Sequence, residues 1–339
     1  MTHQGKPKLP IKPLGTGLRQ REIATMAQSA GSDFCSVAPS VGPEDVVIEG
    51  RVSVSRLRSG LTIHTAETAE VRDLTMEMVL PSCLNVFVIL EGGIDFKLDD
   101  VPFAFTAQND NGQAQPSAFA VAIAKPARLE RHSRRGSRTR KVNIMIKPEW
   151  LDDCGLQNKA TEKDVGCFLR KHLAQTSWHP SGRAIAIAEQ MLNPPQLPPI
   201  VRELYLESRA VELAAEALQA LNGELRCPAL SSAATIDICR AQTVRDYIEQ
   251  RLGDPLTLSA IAREVGIGAT TLQRLFKSVY GMTVVEYVRT RRLERARFAI
   301  ETEGLSVGEA AYLAGYKNPA NFATAFKRAF GISPKLLRK

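Results

Sequence analysis

Two short stretches near the C-terminal end of the chain carry side chains suited to reading DNA bases. Gln273, Arg274 and Asn321 have the paired hydrogen-bonding groups that such contacts need. An arginine can donate two hydrogen bonds to guanine O6 and N7, and an amide side chain can pair in the same way with adenine N6 and N7. Basic residues further along each stretch suit phosphate oxygens, namely Lys277, Lys327 and Arg328. This set of residues predicts sequence-specific contact with double-stranded DNA.

Both stretches belong to a unit that occurs twice in the last hundred residues. A shift of fifty residues aligns Leu272 with Phe322, Phe276 with Phe326, and Gly281 with Gly331. A shift of 49, just upstream, aligns Ala262 with Ala311 and Gly266 with Gly315. The alanines suit a close crossing of two helices, and the glycines four residues later suit a tight turn. Each copy therefore has the pattern of a helix-turn-helix.

The second helix of each copy has an apolar face with the i, i+3, i+4, i+7 spacing of a buried surface. That face comprises Leu272, Leu275, Phe276 and Val279 in the first copy, and Phe322, Ala325, Phe326 and Ala329 in the second. The opposite face supplies the predicted DNA-binding residues, which are Thr270, Thr271, Gln273, Arg274, Lys277, Asn321, Thr324, Lys327 and Arg328. Only Asn321 in the second copy can form a two-pronged base contact, so we expect one sharply defined DNA box and one degenerate box.

The segment between the copies is predicted to be one rigid helix. Its expected inner face consists of Val285, Val288, Leu293, Ala296 and Ile300, and its expected outer arginines are Arg289, Arg291, Arg292, Arg295 and Arg297. Such a helix would fix the spacing of the two units. If they lie about 34 Å apart, both second helices can enter successive major grooves on one side of B-DNA.

The C-terminal hundred residues resemble the AraC/XylS family of bacterial transcription regulators. The resemblance is carried by GYKNPANFATAFKRAFGISP (residues 315–334) and EYVRTRRLERA (residues 286–296). It implies binding to promoter DNA, base reading by Thr270, Gln273 and Arg274, and RNA polymerase as a partner. It also implies control of transcription, more often activation than repression. A basic residue that is frequent in the family at position 324 is replaced here by threonine.

Composition and charge agree with a globular chain that has a basic C-terminal module. The 339 residues are 44% apolar and 24% charged, which excludes disordered, collagen-like and disulfide-rich miniprotein classes. Residues 231–339 hold 17 Lys and Arg against 10 Asp and Glu, a net charge of +7, whereas the rest of the chain carries +1. This asymmetry indicates either a nucleic-acid-binding module or a solvated basic face.

The sequence has no feature that directs it to a membrane or to an oxidising compartment. No run of about 18 uncharged apolar residues occurs, and the N-terminus has no apolar signal segment. The six cysteines include no CxxC pair, so we expect neither a zinc site nor a disulfide framework. These observations favour the reducing cytoplasm.

We expect an α+β chain with an N-terminal β-barrel or sandwich, a helical linker and an all-α DNA-binding domain. Residues 1–45 are predicted to be a flexible tail, and residues 46–148 a β-rich sensor in which Gly92-Gly93 and Asp99-Asp100 mark hairpins. Residues 149–226 are predicted to be the helical linker, and residues 231–339 the double helix-turn-helix domain. EGGIDFKLDD (91–100) and RKVNIMIKPEWLD (140–152) weakly resemble the siderophore-sensing, pyochelin-regulator branch of the family. The effector could be a siderophore or another small molecule, or there could be none.

A long amphipathic helix is predicted from Ile200 to Leu221. Its apolar stripe either packs on the barrel or mediates a homodimer, and the residues assigned to dimerisation are Leu204, Val211, Ala215 and Leu218.

The segment Arg128–Lys141 holds eight basic or potentially basic residues in 14 positions. It is either a solvated hairpin loop or a flap that faces an anionic effector.

An enzyme is the competing interpretation from another functional class. A metal-dependent barrel enzyme needs two or three histidines and a carboxylate around one ion, but none of the five histidines pairs at i+2 or i+4. His64 and His132 are the only two in the predicted strand region. We therefore predict no metal site, no cofactor and no catalytic residue. A purely architectural DNA-binding protein is disfavoured, because some 230 residues of neutral globular sequence would have no role.

Overall fold

The computed structural model describes residues 17–29, 34–36, 41–57, 60–110, 113–154, 165–223 and 232–337. Within them the chain forms two compact units, of which the first ends at Ser177 and the second begins at Trp178. The second half of the predicted linker therefore lies in the same unit as the helix-turn-helix repeats. The predicted α+β class is confirmed.

The N-terminal unit consists of a curled antiparallel sheet and a separate two-stranded sheet, which is formed by the eighth and ninth strands in chain order. Its strands are β1 Gly17–Arg19, β2 Phe34–Ser36, β3 Val46–Arg56, β4 Leu61–Glu70, β5 Leu74–Leu80, β6 Cys83–Leu98, β7 Val101–Thr106, β8 Gln108–Asp110, β9 Gln113–Gln115, β10 Ser117–Ile123, β11 Ala127–Ser133, β12 Arg138–Ile146 and β13 Gln175–Trp178. Its helices are α1 Gln20–Ser29, α2 Pro148–Asp153 and α3 Cys167–Arg170. The main strand order is β1-β3-β4-β12-β6-β11-β5-β2. The predicted barrel or sandwich is thus a half-barrel whose two outer strands in this order are β1 and β2.

Strand β6 joins the two halves of the curl. Its first half pairs with β10 and β12, and its second half pairs with β7 and β11. The predicted hairpin at Gly92-Gly93 is wrong, because the strand continues through a bend there. Gly92 has φ of +73°, and a Cβ on it would lie 1.8 Å from the carbonyl oxygen of Arg138. The predicted hairpin at Asp99-Asp100 is confirmed, since both residues have positive φ and join β6 to β7.

The predicted N-terminal tail is corrected by the structure over residues 17–29 and 34–36. Strand β1 pairs with β3, strand β2 pairs with β5, and α1 lies between them. Leu18 is completely buried and Met26 is nearly so. These strands have only three residues each, too few for a sequence pattern to reveal, and their pairing partners are distant in the sequence. Residues 1–16 lie outside the described part.

The C-terminal unit is all helical after β13. Its helices are α4 Gly182–Leu192, α5 Pro199–Leu221, α6 Ser232–Gln250, α7 Leu258–Glu264, α8 Ala269–Tyr280, α9 Val284–Thr302, α10 Val307–Leu313, α11 Pro319–Phe330 and a 3-10 turn, Pro334–Leu337. Helices α7 and α10 are offset by 49 residues, and α8 and α11 by fifty. These are the two shifts of the sequence repeat. Both second helices end on a left-handed glycine, Gly281 or Gly331.

Helix α5 packs against α4 in its own unit. The side that it buries is made of Leu206, Ala210, Leu213, Ala214 and Ala217. Helix α4 also contacts α6 and α8, so the linker helices pack onto the first helix-turn-helix. No helix in the described ranges is both long enough and apolar enough to cross a bilayer.

Candidate nucleic-acid interface and ligand cavity

The two second helices, α8 and α11, present the polar faces that the sequence predicts. Phe276 and Phe322 are completely buried, as are most members of the predicted inner faces, while Ala329 is half-buried. The exposed residues are Thr270, Thr271, Arg274 and Lys277 on α8, and Asn321, Thr324, Lys327 and Arg328 on α11. Gly266 and Gly315 have φ of +70° and +80°, so each turn uses the backbone freedom predicted for it.

Gln273 differs from the other predicted base readers. It is half-buried, and its Oε1 accepts a hydrogen bond from the backbone N–H of Val284 at 3.3 Å. This bond ties α8 to the first turn of α9. The acceptor of the amide pair expected for base reading, Oε1, is therefore used inside the protein, whereas Arg274 has no such bond among the described residues.

The arginines of α9 divide into two groups, which corrects the predicted outer face. Arg291 is buried and forms an ion pair with Glu249 at 2.6 Å. Arg292 donates to the carbonyl oxygens of Leu252 and Asp254. Arg297 pairs with Glu301 and lies over the ring of Phe330, as the ion-pair and cation–π contacts show. Only two of the five are exposed, and these are Arg289 and Arg295.

The predicted inner face of α9 needs one correction. Val285 is 61% exposed, and its neighbour Val284 occupies the buried position in the first turn. Val288, Leu293, Ala296 and Ile300 are buried as predicted. That turn begins with a capping box, in which Thr283 and Glu286 satisfy each other's backbone N–H groups. The buried arginine pairs and this cap hold α9 in a fixed position between the two repeats.

The predicted dimerisation stripe lies on the open side of α5. Leu204 is 62% exposed, and Val211 and Ala215 are also exposed, while Leu218 is half-buried. Ile200 and Val201 extend the exposed apolar surface toward the start of the helix. The stripe is thus separate from the face that packs on α4.

The half-barrel forms a cavity of about 180 Å³. Apolar side chains form most of its wall, among them Met76, Met78, Ile94, Phe96 and Leu129. Alternate residues of β12 also face it, including Lys141 and Asn143. The amide of Asn143 is already bonded to Asn85 and to the carbonyl oxygen of Val86. The cavity is therefore mainly apolar, with a few polar groups on one wall.

Four titratable groups lie in or next to this wall. Arg131 donates to Glu70 at 2.9 Å. Burial, and then the charge of Arg131, lowers the pKa of Lys141 to about 7. Burial, and then the charge of Lys141, lowers the pKa of His64 to about 3. Burial raises the pKa of Glu70, against the opposing charge of Arg131.

The charged side chains of the basic segment 128–141 divide between solvent and the cavity. It forms strands β11 and β12 with a turn at residues 134–137. Arg134, Arg135 and Arg138 are exposed, whereas Arg131 and Lys141 line the cavity. The sequence order alone did not show this division, because it follows from which strand face each residue occupies.

The two histidines of the strand region, His64 and His132, have different surroundings. His132 contacts Thr75 and Glu130 at the surface, and His64 lines the cavity. Among the residues described, no three His, Cys, Asp or Glu side chains are grouped so that they could hold a metal ion.

Comparison with known proteins matches two family models. Residues 49–232, more than half of the chain, match the N-terminal domain of the regulatory protein PchR, and residues 261–339 match a helix-turn-helix domain. The first match confirms the weak resemblance to the pyochelin-regulator branch. The second covers both repeats from α7 onward.

Individual relatives share the C-terminal region. The transcriptional activator NphR from a Rhodococcus species is 38% identical over 133 residues, which cover 39% of this chain but only 38% of NphR. The regulatory protein SoxS from Salmonella typhimurium is 31% identical over 93 residues, 27% of this chain and 87% of SoxS. The solved C-terminal domain of the response regulator AraT from Geobacillus stearothermophilus is 29% identical, covering 29% of this chain and 83% of that domain, with a TM-score of 0.28.

The family models and the geometry agree on both halves of the molecule. One model spans the half-barrel and the helices after it, and the other spans the tandem helix-turn-helix units. The chain therefore belongs to the AraC/XylS family of DNA-binding transcription regulators, in the group that carries the PchR N-terminal domain.

Proposed function

We propose that this chain regulates transcription by binding promoter DNA with α8 and α11 in two successive major grooves. The observation that carries the proposal is the pair of twelve-residue helices, each with a buried apolar face and an exposed polar face. The connector α9 is anchored by buried arginine contacts, which keeps the spacing of the two helices constant. Constant spacing is what a fixed pair of half-sites requires.

The roles of individual residues follow from their position on each helix. Arg274 is the base reader in the first unit, and Lys277, Lys327 and Arg328 contact phosphates. Thr270, Thr271, Asn321 and Thr324 complete the surface. Thr324 donates to the carbonyl oxygen of Ala320 at 3.1 Å, so it offers its remaining acceptor to DNA.

Two single substitutions in the full chain test these roles. Arg274→Ala should cost about 1 to 3 kcal/mol of binding free energy and relax the preference at one base position. Lys327→Ala should weaken binding to all sequences alike and lower the slope of log K against log salt by about 1. Fluorescence anisotropy with systematically changed duplexes measures both quantities. Identical behaviour of the two variants would contradict the assignment.

The regulator acts as an activator that contacts RNA polymerase in the cytoplasm. Support comes from the similar protein NphR, a transcriptional activator, and from the DNA-binding module itself, since promoter DNA lies in that compartment. Transcription of a bound promoter by purified RNA polymerase, with and without the protein, tests activation. A fall in transcript would make it a repressor.

A homodimer forms through α5. Val201, Leu204, Ser208, Val211 and Ala215 alternate three and four residues apart, and all five are exposed, which is the spacing of a coiled-coil seam. Leu218 continues it. Leu204→Glu with Val211→Glu should give monomers by light scattering without loss of helix content, because both side chains are exposed. A monomeric wild type at micromolar concentration, with or without DNA, would contradict the proposal.

The cavity in the half-barrel is the effector site. A concave, mostly apolar space with a few convergent polar groups is the usual form of a small-molecule site. An effector that binds there would change the affinity of the protein for DNA or its effect on transcription.

A further inference from the structure

The cavity contains one positive charge that the protein does not neutralise. Lys141 is only 7% exposed, and among the described residues its side-chain ammonium forms no hydrogen bond or ion pair. Its Nζ lies 5.9 Å from the centre of the Phe87 ring, which is a weak contact at best. A buried ammonium without a partner is costly, so such a group normally finds an anion or loses its proton.

The neighbouring charges do not supply the missing anion. Glu70 is the acidic group facing Lys141, and it is already paired with Arg131 at 2.9 Å. His64, the remaining titratable neighbour, is neutral at physiological pH because its pKa is about 3. The set Arg131, Glu70, His64 and protonated Lys141 therefore carries one net positive charge. One monoanion would balance it.

The rest of the wall and the size of the cavity restrict what can carry that anion. Met76, Met78, Ile94, Phe96 and Leu129 offer only apolar surface. The volume of about 180 Å³ is slightly larger than the engineered cavity of about 150 Å³ that binds benzene. It accommodates a single ring or a short alkyl chain with one small charged group.

We infer that the cavity binds a small apolar monocarboxylate, with its carboxylate on Lys141 and its ring or chain against the methionine and phenylalanine wall. This inference rests on the proposal that the cavity is the effector site. A carboxylate oxygen would accept a hydrogen bond from the lysine ammonium, and the apolar body would gain dispersion contacts with the methionine and phenylalanine wall. The ligand is either an aromatic acid or a short-chain aliphatic acid, since both share this chemistry.

Calorimetric titration of the full chain tests the inference with two acids and their neutral counterparts. Benzoate and hexanoate are compared with benzamide and hexanamide. We expect at least one acid to bind, and to bind at least tenfold more tightly than its amide. Whichever of the two acids binds more tightly shows whether the apolar part of the ligand is aromatic or aliphatic. Equal binding of acid and amide, or no binding by either acid, would overturn the inference.

A pair of variants locates the charge that matters. Lys141→Met removes the ammonium while keeping the length of the side chain, and should weaken binding of the acid at least tenfold without weakening binding of the amide. Lys97→Met is the matched control, because Lys97 is exposed on β6 and pairs with Glu130 at the surface. Unchanged binding of the acid to Lys141→Met would overturn the inference.

A measurement on the wild type keeps the test valid if Lys141→Met does not fold. The pKa of Lys141 is about 7 in the folded protein, and a bound carboxylate would raise it. At pH 8 binding should therefore take up a proton, which titrations in two buffers of different ionisation enthalpy detect. Binding of the acid without proton uptake would place the carboxylate away from Lys141. DNA binding is measured separately by anisotropy, so a regulator that binds DNA but no acid would refute the inference and leave the proposed function standing.

Discussion

Substitution of Arg291 tests whether this arginine stabilises the fold or binds DNA. It lies on α9 between basic residues that the sequence places on the outer face, yet its side chain is buried. Its Nε and Nη2 donate to the two carboxylate oxygens of Glu249 at 2.6 and 2.8 Å, and its Nη1 donates to Glu294 at 3.1 Å. We expect Arg291→Met to lower the stability of the C-terminal unit, with little direct effect on DNA contacts.

The size of the effect follows from the burial of the partners. Removing one member of a buried ion pair costs about 3 to 5 kcal/mol, because the other charge is left unpaired. The side chain of Glu249 is 28% exposed and that of Glu294 is 6% exposed. Water can therefore solvate the Glu249 carboxylate once its arginine partner is removed. We therefore expect a loss near the lower end, about 3 kcal/mol. Removing Glu249 as well should cost less than the sum of the two single changes.

Urea unfolding followed by far-ultraviolet circular dichroism is the appropriate assay, since the long helices of the protein belong to the C-terminal unit. Arg295→Met is the matched control on the same helix. Its side chain is exposed, so its unfolding free energy should stay within about 0.5 kcal/mol of the wild type. Unchanged stability of Arg291→Met together with a loss of DNA affinity would refute the reasoning, because Arg291 would then be free to face DNA.

Three further predictions follow from the geometry. Gly92→Ala should destabilise the half-barrel by about 2 kcal/mol or more in thermal unfolding, since φ of +73° and the Arg138 carbonyl oxygen at 1.8 Å both oppose a Cβ. Gly136→Ala is the control, and it should lose less stability because its φ is positive but the space around it is open. The pKa of Lys141 falls from 10.5 to about 7 on folding, so the unfolded chain binds more protons between these values and stability should rise with pH. Thermal unfolding from pH 7 to 9 should show this rise in the wild type relative to Lys141→Met, and parallel profiles would contradict it. Saturation mutagenesis of a bound DNA site should show one sharp box under α8 and a degenerate box under α11, and two equal boxes would contradict the assignment.

The repeat and its faces were predictable because the information is local. Helical periodicity places Leu272, Phe276, Phe322 and Phe326 on one side of their helices, and the structure buries all four. The turn glycines were equally visible, since few other residues adopt positive φ. The offsets of 49 and fifty residues between helices reproduce the shifts found in the sequence. In this part of the chain, local pattern and tertiary packing agree.

Other features were not predictable because they depend on partners distant in the sequence. Gly92-Gly93 has the composition of a hairpin turn, but the pairing of β6 with four other strands extends it through the bend. The short strands β1 and β2 exist only through their pairing with β3 and β5. Gln273 has the chemistry of a base reader, and its bond to Val284 becomes visible only when α9 is in place.

The role of each basic residue is decided by burial and by its partner, and the net charge of a segment does not reveal it. The C-terminal third has an excess of seven positive charges, but Arg291 and Arg297 form ion pairs within the protein. The positive charge available to DNA is therefore concentrated on exposed residues such as Arg274, Lys277 and Lys327. In the half-barrel the same rule gives the opposite result. The sequence of segment 128–141 suggests a surface cluster, yet the ammonium of Lys141 is buried without a partner. An anionic ligand contributes most to stability where it pairs with such a buried charge.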